Sequence, residues 1–168
     1  MADTPWLDRR ELSAWVRLAA VLELLPGSLD GQLRREAGLT HFEYWVIAML
    51  SEAPDRTLRM SDLARQTNGT LPRLSHVVHR LEERGLVERR PDPDDRRATN
   101  ARLTDTGMRK VVATAPGHVR HVREHVIDAL SPDQVDQLRE ISTALLARLD
   151  PEGELADTYR RYDDPPAP

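Results

Sequence analysis

Residues 62–107 read DLARQTNGTLPRLSHVVHRLEERGLVERRPDPDDRRATNARLTDTG. Ser61 stands where it can cap a short helix over residues 62–67, and Asn68-Gly69 is a strong turn signal. Thr70 can cap the next helix, with Pro72 in its first turn, where a missing N–H costs little. Leu74, Val77, Val78 and Leu81 repeat every three or four residues and form its inward stripe. Arg73, Ser75, His76, His79 and Arg80 must then face elsewhere. Gly85 ends the helix. Residues 86–90 and 99–103 read as two short strands around the turn PDPDDRR, and Thr104 caps a long helix. Helix, turn, helix and hairpin in that order are the parts needed to place one helix in a DNA major groove with a wing beside it.

The charge distribution agrees with a local polyanion site. The 168-residue chain has a net charge of −4, but residues 56–110 carry 13 Lys and Arg against 8 Asp and Glu. The remainder of the chain is acidic. With 39% apolar and 31% charged residues, an ordinary globular domain with a real core is expected. The absence of cysteine excludes disulfides, thiolate metal sites and thiol-based sensing. The N-terminus MADTPWLDRREL has no basic-then-apolar signal pattern and no apolar run approaches a membrane span, so a cytoplasmic protein without a membrane partner is expected. No nucleophile motif or Gly-rich phosphate loop suggests an enzyme, and no cofactor is expected.

Outward from the central stretch the chain reads as helices. Leu12, Trp15, Val16, Ala19, Leu22, Leu25, Leu29 and Leu33 mark one long helix over residues 7–37, with a kink expected at Pro26-Gly27. Gly38 and Thr40 separate it from a second helix over residues 41–53. The helix after Thr104 carries Met108, Val111, Val112, Ala115, Val119, Val122 and Val126 and is expected to reach about residue 130. Ser131-Pro132 opens a last helix with Val135, Leu138, Ile141, Leu145, Leu146 and Leu149. The expected fold is mainly α: six helices plus a β-hairpin wing. Residues 1–55 and 106–150 would serve dimerisation, residues 56–105 DNA binding, and residues 151–168 would be a tail. The long terminal helices have apolar stripes with no obvious partner in a chain this small, which predicts a two-fold homodimer; the alternative is a monomeric helical bundle.

Four motifs, DLA at 62–64, RLEERGLVER at 80–89, DPDDRRA at 92–98 and LTDTG at 103–107, together resemble the MarR family of bacterial transcription regulators. The resemblance implies a dimeric winged helix-turn-helix protein that binds a near-palindromic operator, commonly as a repressor released by a small ligand. The chain departs from the family pattern at Thr70-Leu71-Pro72, at His76 and His79, and at Asn100-Ala101.

In this reading Arg73, Ser75, His76 and His79 reach base edges, while Thr70 and Arg80 meet phosphate. Arg89, Arg90, Arg96 and Arg97 belong to the wing, whose tip can enter a narrow minor groove. By resemblance, Asp95 pairs with an arginine to hold the wing loop. A ligand pocket between the first, second and fifth helices is implied, with Trp15, His41, Trp45, Met49, Val112 and His118 as candidates. Its content suits an organic molecule rather than a metal. His118, His121 and His125 offer zinc spacing at i, i+4, but Arg120, Arg123 and Glu124 around them favour a solvated face, and no metal site is assigned. Two alternative functions remain: a zinc-responsive regulator of the same fold, and a winged-helix protein-interaction module that binds no DNA.

Overall fold

The computed structural model describes residues 5–95 and 97–163. Helix α1 runs Arg9–Ala37 as one element through Pro26. Its start is a reciprocal cap: the Asp8 carboxylate accepts from the Glu11 amide, and the Glu11 carboxylate accepts from the Asp8 amide, both at 2.8 Å. Gly38, at φ +62°, ends it. Helix α2, His41–Glu52, has the same kind of cap from Thr40 and Glu43. Asp55 and Arg56, both at positive φ, turn the chain into a three-residue strand β1, Thr57–Arg59. Helices α3 (Met60–Gln66) and α4 (Leu71–Glu83), strands β2 (Val87–Pro91) and β3 (Thr99–Leu103), and helix α5 (Asp105–Val122) follow. A π turn at Arg123–Ile127 precedes α6 (Pro132–Leu149) and a short α7 (Ala156–Tyr159).

The helices and the winged helix-turn-helix order agree with the sequence reading. Four details differ. The wing sheet has three strands in the order β1-β3-β2, all antiparallel; three residues are too few to show a two-residue period. Ser61 does not cap α3, which starts at Met60, two residues before the expected position, with no side-chain cap. Helix α5 stops at Val122, because the Asp128 amide reaches back five residues to Arg123 O. Finally, the described part of the expected tail is docked. The Asp150 carboxylate accepts the amides of Glu154 and Leu155 at 2.7 and 2.9 Å. Thr158 Oγ1 donates to Gln66 O at 3.4 Å, and the Tyr162 hydroxyl donates to Glu52 at 3.2 Å.

The core lies in the lobe. Val46, Ile47 and Leu50 of α2, Leu63 of α3, and Leu74, Val78 and Leu81 of α4 are fully buried with Ala101 of β3 and Leu33 at the end of α1. Thus α2 completes the lobe's core rather than standing apart from it. The terminal helices differ. Among the described residues, α6 buries none of its own. Trp6, Leu12, Trp15, Val16, Leu22 and Leu24 from the N-terminal region, with Leu138, Ile141, Leu145 and Leu149 of α6, are exposed. Burying one such side chain is worth roughly 1.5–3 kcal/mol. An 18-residue stretch of α1 has mean hydropathy 1.3 and is long and apolar enough to cross a membrane; this corrects the expectation that no apolar run approaches a span. Arg17 and Glu23 lie on that helix.

Candidate nucleic-acid interface

Helix α4 is built to present a polar face. The Thr70 hydroxyl accepts the Arg73 amide at 3.4 Å, Pro72 sits in the first turn, and Gly85 at φ +65° ends the helix. Burial of Leu74, Val77, Val78 and Leu81 fixes its rotation. Arg73, His76, His79 and Arg80 are consequently exposed, and Ser75 is half-buried. A cleft of about 410 Å³ separates this face from the wing, with Leu71, Ser75, Arg89 and Arg97 on its walls.

The arginines divide into those already engaged within the protein and those left outward. Arg73 stacks over the Phe42 ring of α2 at 4.1 Å, a cation–π contact. Arg80 Nε donates to Glu43 Oε1 at 3.1 Å, and Arg84 Nη1 stands 3.8 Å from Glu43 Oε2. The Glu43 side chain is buried and also caps Thr40. Burial pulls its carboxyl upward, but the bonds from the Thr40 amide and Arg80 outweigh that and hold it below its ordinary value. Arg80 therefore ties α4 to α2 rather than standing free for phosphate. Arg89 turns inward to α4: its Nη2 donates to Ser75 O at 2.6 Å, and its amide donates to Glu82 Oε1 at 2.8 Å. Arg90 pairs with Glu88 at 2.6 Å. Glu88 also takes Arg102 at 2.9 Å, the contact that most lowers its carboxyl. His79 lies 3.6 Å from Glu83. Among the described residues, no hydrogen bond or ion pair engages the His76 ring or the Arg97 guanidinium. Arg96 lies outside the described residues.

The wing is held by a pair that sequence reasoning missed. Asp92, buried, accepts from Arg59 Nε at 2.9 Å and Nη2 at 3.2 Å, and from the amides of Asp94 and Asp95 at 2.9 and 3.0 Å. The resemblance gives Asp95 an arginine partner; among the described residues Asp95 shapes the turn, its carboxylate accepting the Arg97 amide at 3.0 Å and its carbonyl the Ala98 amide at 2.9 Å. Arg59 belongs to β1, the strand too short to be recognised.

Three of the six pocket candidates converge. His41 and Trp45 meet edge to face at 6.0 Å between centroids, and His118 of α5 lies 6.5 Å from His41. Tyr44, which the sequence did not single out, packs 4.8 Å from His118. Met49 is core, Trp15 is exposed on α1, and Val112 is exposed at a separate depression beside Arg56 and Met108. These three, which the resemblance implied, do not join the cluster, because an apolar helix stripe also serves core and surface. The zinc-spaced histidines divide likewise. His118 faces α2, while His121, Glu124 and His125 offer ligand atoms within 4.8 Å of one another; the first of these is already 2.9 Å from Ser28 Oγ.

Burial pushes His41 below its ordinary value, partly offset by Asp30. His118 is lowered by burial and by His41 and His121. A lowered histidine contributes full stability above its unfolded value of about 6.5, and that contribution is lost as pH falls from there through the lower folded value. Lowering pH from about 7.5 to 5.5 should therefore reduce the urea midpoint. The lowered carboxyls Asp30, Glu43, Glu88 and Asp92, with ordinary values of 3.8 to 4.5, act below this window. A double variant His41→Gln, His118→Gln should flatten the dependence; an unchanged slope would remove these two histidines as its source.

Comparison with known proteins gives one answer. The MarR family model matches residues 37–98, from the end of α1 through the wing loop. The chain is 30% identical over 136 residues to the HTH-type transcriptional regulator MhqR of Bacillus subtilis, covering 80% of this chain and 90% of that protein. It is 27% identical over 122 residues to the transcriptional repressor MprA of Escherichia coli K12, covering 71% and 67%. Among solved structures, Sco3205 of Streptomyces coelicolor, a MarR family regulator in complex with DNA, is 41% identical with a TM-score of 0.84, covering 89% and 94%. AbsC of the same organism is 37% identical at 0.82, covering 87% and 98%. With the α3–α4 pair, the outward face of α4 and the anchored wing all in place, this chain belongs to the MarR family of winged helix-turn-helix transcriptional regulators.

Proposed function

We propose that the protein is a sequence-specific DNA-binding repressor, a cytoplasmic homodimer released from its operator by a small organic ligand. The observation that carries this reading is the exposed α4 face beside an arginine-bearing wing. In this reading Thr70, Ser75, His76 and His79 meet base edges or phosphate, and Arg97 enters the minor groove. Arg73 reaches DNA from its stack on Phe42. The Sco3205 complex with DNA and the repressor MprA support both the ligand DNA and the direction of control. A protein-interaction module would need neither the basic helix nor the wing, and membership of a regulator family speaks against an enzyme. The exposed stripes of α1 and α6 supply the homodimer. The cluster of His41, Tyr44, Trp45 and His118 between α2 and α5 supplies aromatic walls for the organic effector, which must prefer one dimer geometry to shift binding. The zinc-responsive alternative rests on His121, Glu124 and His125; a zinc response at sub-micromolar free metal, lost in His121→Ala, would favour it.

Footprinting on the protein's own promoter tests the reading. Protection should cover a pseudo-palindrome with half-sites about one helical turn apart, and affinity should fall steeply with salt. Light scattering at micromolar concentration should give twice the chain mass, and Ile141→Glu with Leu145→Glu should halve it. A wild-type chain that stays monomeric would sink the palindrome argument.

A further inference from the structure

Arg89 has an arrangement that neither a phosphate contact nor a simple surface ion pair requires. It lies on β2, half-buried, and reaches across to α4. Its backbone amide donates to Glu82 Oε1 at 2.8 Å, and its Nε faces Glu82 Oε2 at 3.4 Å. Its Nη2 donates to the Ser75 carbonyl at 2.6 Å and lies 3.3 Å from the Ser75 hydroxyl. A guanidinium is donor-only. The Ser75 oxygen therefore accepts from Arg89 with one of its two lone pairs, and the guanidinium charge beside it disfavours a second donor at the other, so the O–H is the group left to engage DNA. Ser75 stands on the wall of the cleft between α4 and the wing, on the first half of the helix that docks in the major groove.

We infer that Arg89 is a positioning residue that fixes Ser75 as a hydrogen-bond donor, and that the operator base edge opposite Ser75 presents an acceptor. Unconstrained, a serine hydroxyl donates or accepts and discriminates poorly. Held by Arg89, it selects N7 or O6 of guanine, N7 of adenine or O4 of thymine, and disfavours the N4 amino group of cytosine. The same side chain locks β2 to the middle of α4, so it also sets the spacing between wing and recognition helix. This inference rests on the DNA-binding reading above.

The test is selection from a duplex library randomised over the half-site, with full-length wild type, Ser75→Ala, Arg89→Lys, Arg89→Gln and the double variant Ser75→Ala, Arg89→Gln. Circular dichroism and thermal melts at one protein concentration identify any variant that fails to fold; Arg89→Lys and Ser75→Ala are the mildest. Wild type should enrich an acceptor-bearing base at one position. Ser75→Ala and each Arg89 variant should relax that same position, and the double variant should relax it no further. Each Arg89 variant should bind the wild-type site roughly tenfold more weakly, with the slope of log affinity against log salt unchanged. A phosphate contact behaves otherwise: its loss lowers the slope by about one and leaves base preference intact. That result would overturn the inference, as would Arg89 variants that leave the Ser75 position as selective as in wild type. Failure of the wild type to enrich any sequence would instead overturn the DNA-binding reading, and the inference with it.

Discussion

Replacing Gly107 by Ala should destabilise the protein by about 3 kcal/mol or more, beyond the usual range for a single added methyl. Gly107 is the third residue of α5 and is buried. A Cβ there would lie 2.1 Å from the Leu86 carbonyl oxygen and 2.6 Å from Leu103 Cδ1. The carbonyl cannot readily retreat, since it accepts the Thr104 amide at 3.1 Å. The helix start cannot retreat either. The Thr104 hydroxyl accepts the Gly107 amide at 3.0 Å and donates to Gly85 O at 2.7 Å. The LTDTG motif thus sews the base of the wing to the end of α4, and the glycine is the point of closest approach. At matched protein concentration the melting temperature should fall by about 6–12 °C. A variant melting within about 2 °C of wild type would mean that the seam relaxes far more easily than its bonds suggest.

That seam shows what was legible in the sequence. Thr40 and Ser131 mark helix starts in the sequence, and in the structure both belong to capping boxes, with Glu43 and Gln134 three residues on. The inward stripe of α4 likewise depends only on the helical period. Local patterns of this kind survive folding because the partners are three or four residues apart. The roles of the arginines are not local. Arg80 meets Glu43 across 37 positions and Arg59 meets Asp92 across 33. In a chain with 23 Arg, nothing in the order of residues says which will find a carboxylate and which will face DNA. Arg80 and Arg89 read from the sequence as DNA contacts, and the structure shows that both also brace the lobe. The pocket had the same weakness. An apolar residue on a helical stripe can face core, partner or ligand, and only the meeting of α2 with α5 separated His41, Trp45 and His118 from Trp15, Met49 and Val112.

Replacing Asp92 by Ala should weaken operator binding about 30-fold while leaving the lobe folded, because a wing that must order itself on binding spends part of the contact energy on that ordering. Asp92 is the one carboxylate onto which Arg59 and the amides of Asp94 and Asp95 converge. Without it the guanidinium of Arg59 and both amides must turn to water, and the loop that presents Arg97 loses its shape. The hydrogen bond from Arg59 is the largest influence holding the Asp92 carboxyl below its ordinary 3.8, against an opposing effect of burial. A lowered carboxyl contributes above its unfolded value, and the contribution is lost only as pH falls through the lower folded value. The anchor is therefore fully charged from pH 5 to 8, and any change in operator affinity across that window must come from other groups. Exchanging the partners, Asp92→Arg with Arg59→Asp, should not restore binding, since the Asp94 and Asp95 amides would still lack their acceptor. Fluorescence anisotropy with an operator duplex at fixed salt measures the affinities, and limited proteolysis between residues 91 and 98 reports whether the loop has opened. If Asp92→Ala bound as tightly as wild type while its loop became cleavable, wing order would contribute nothing to operator affinity, and helix α4 would have to supply it alone.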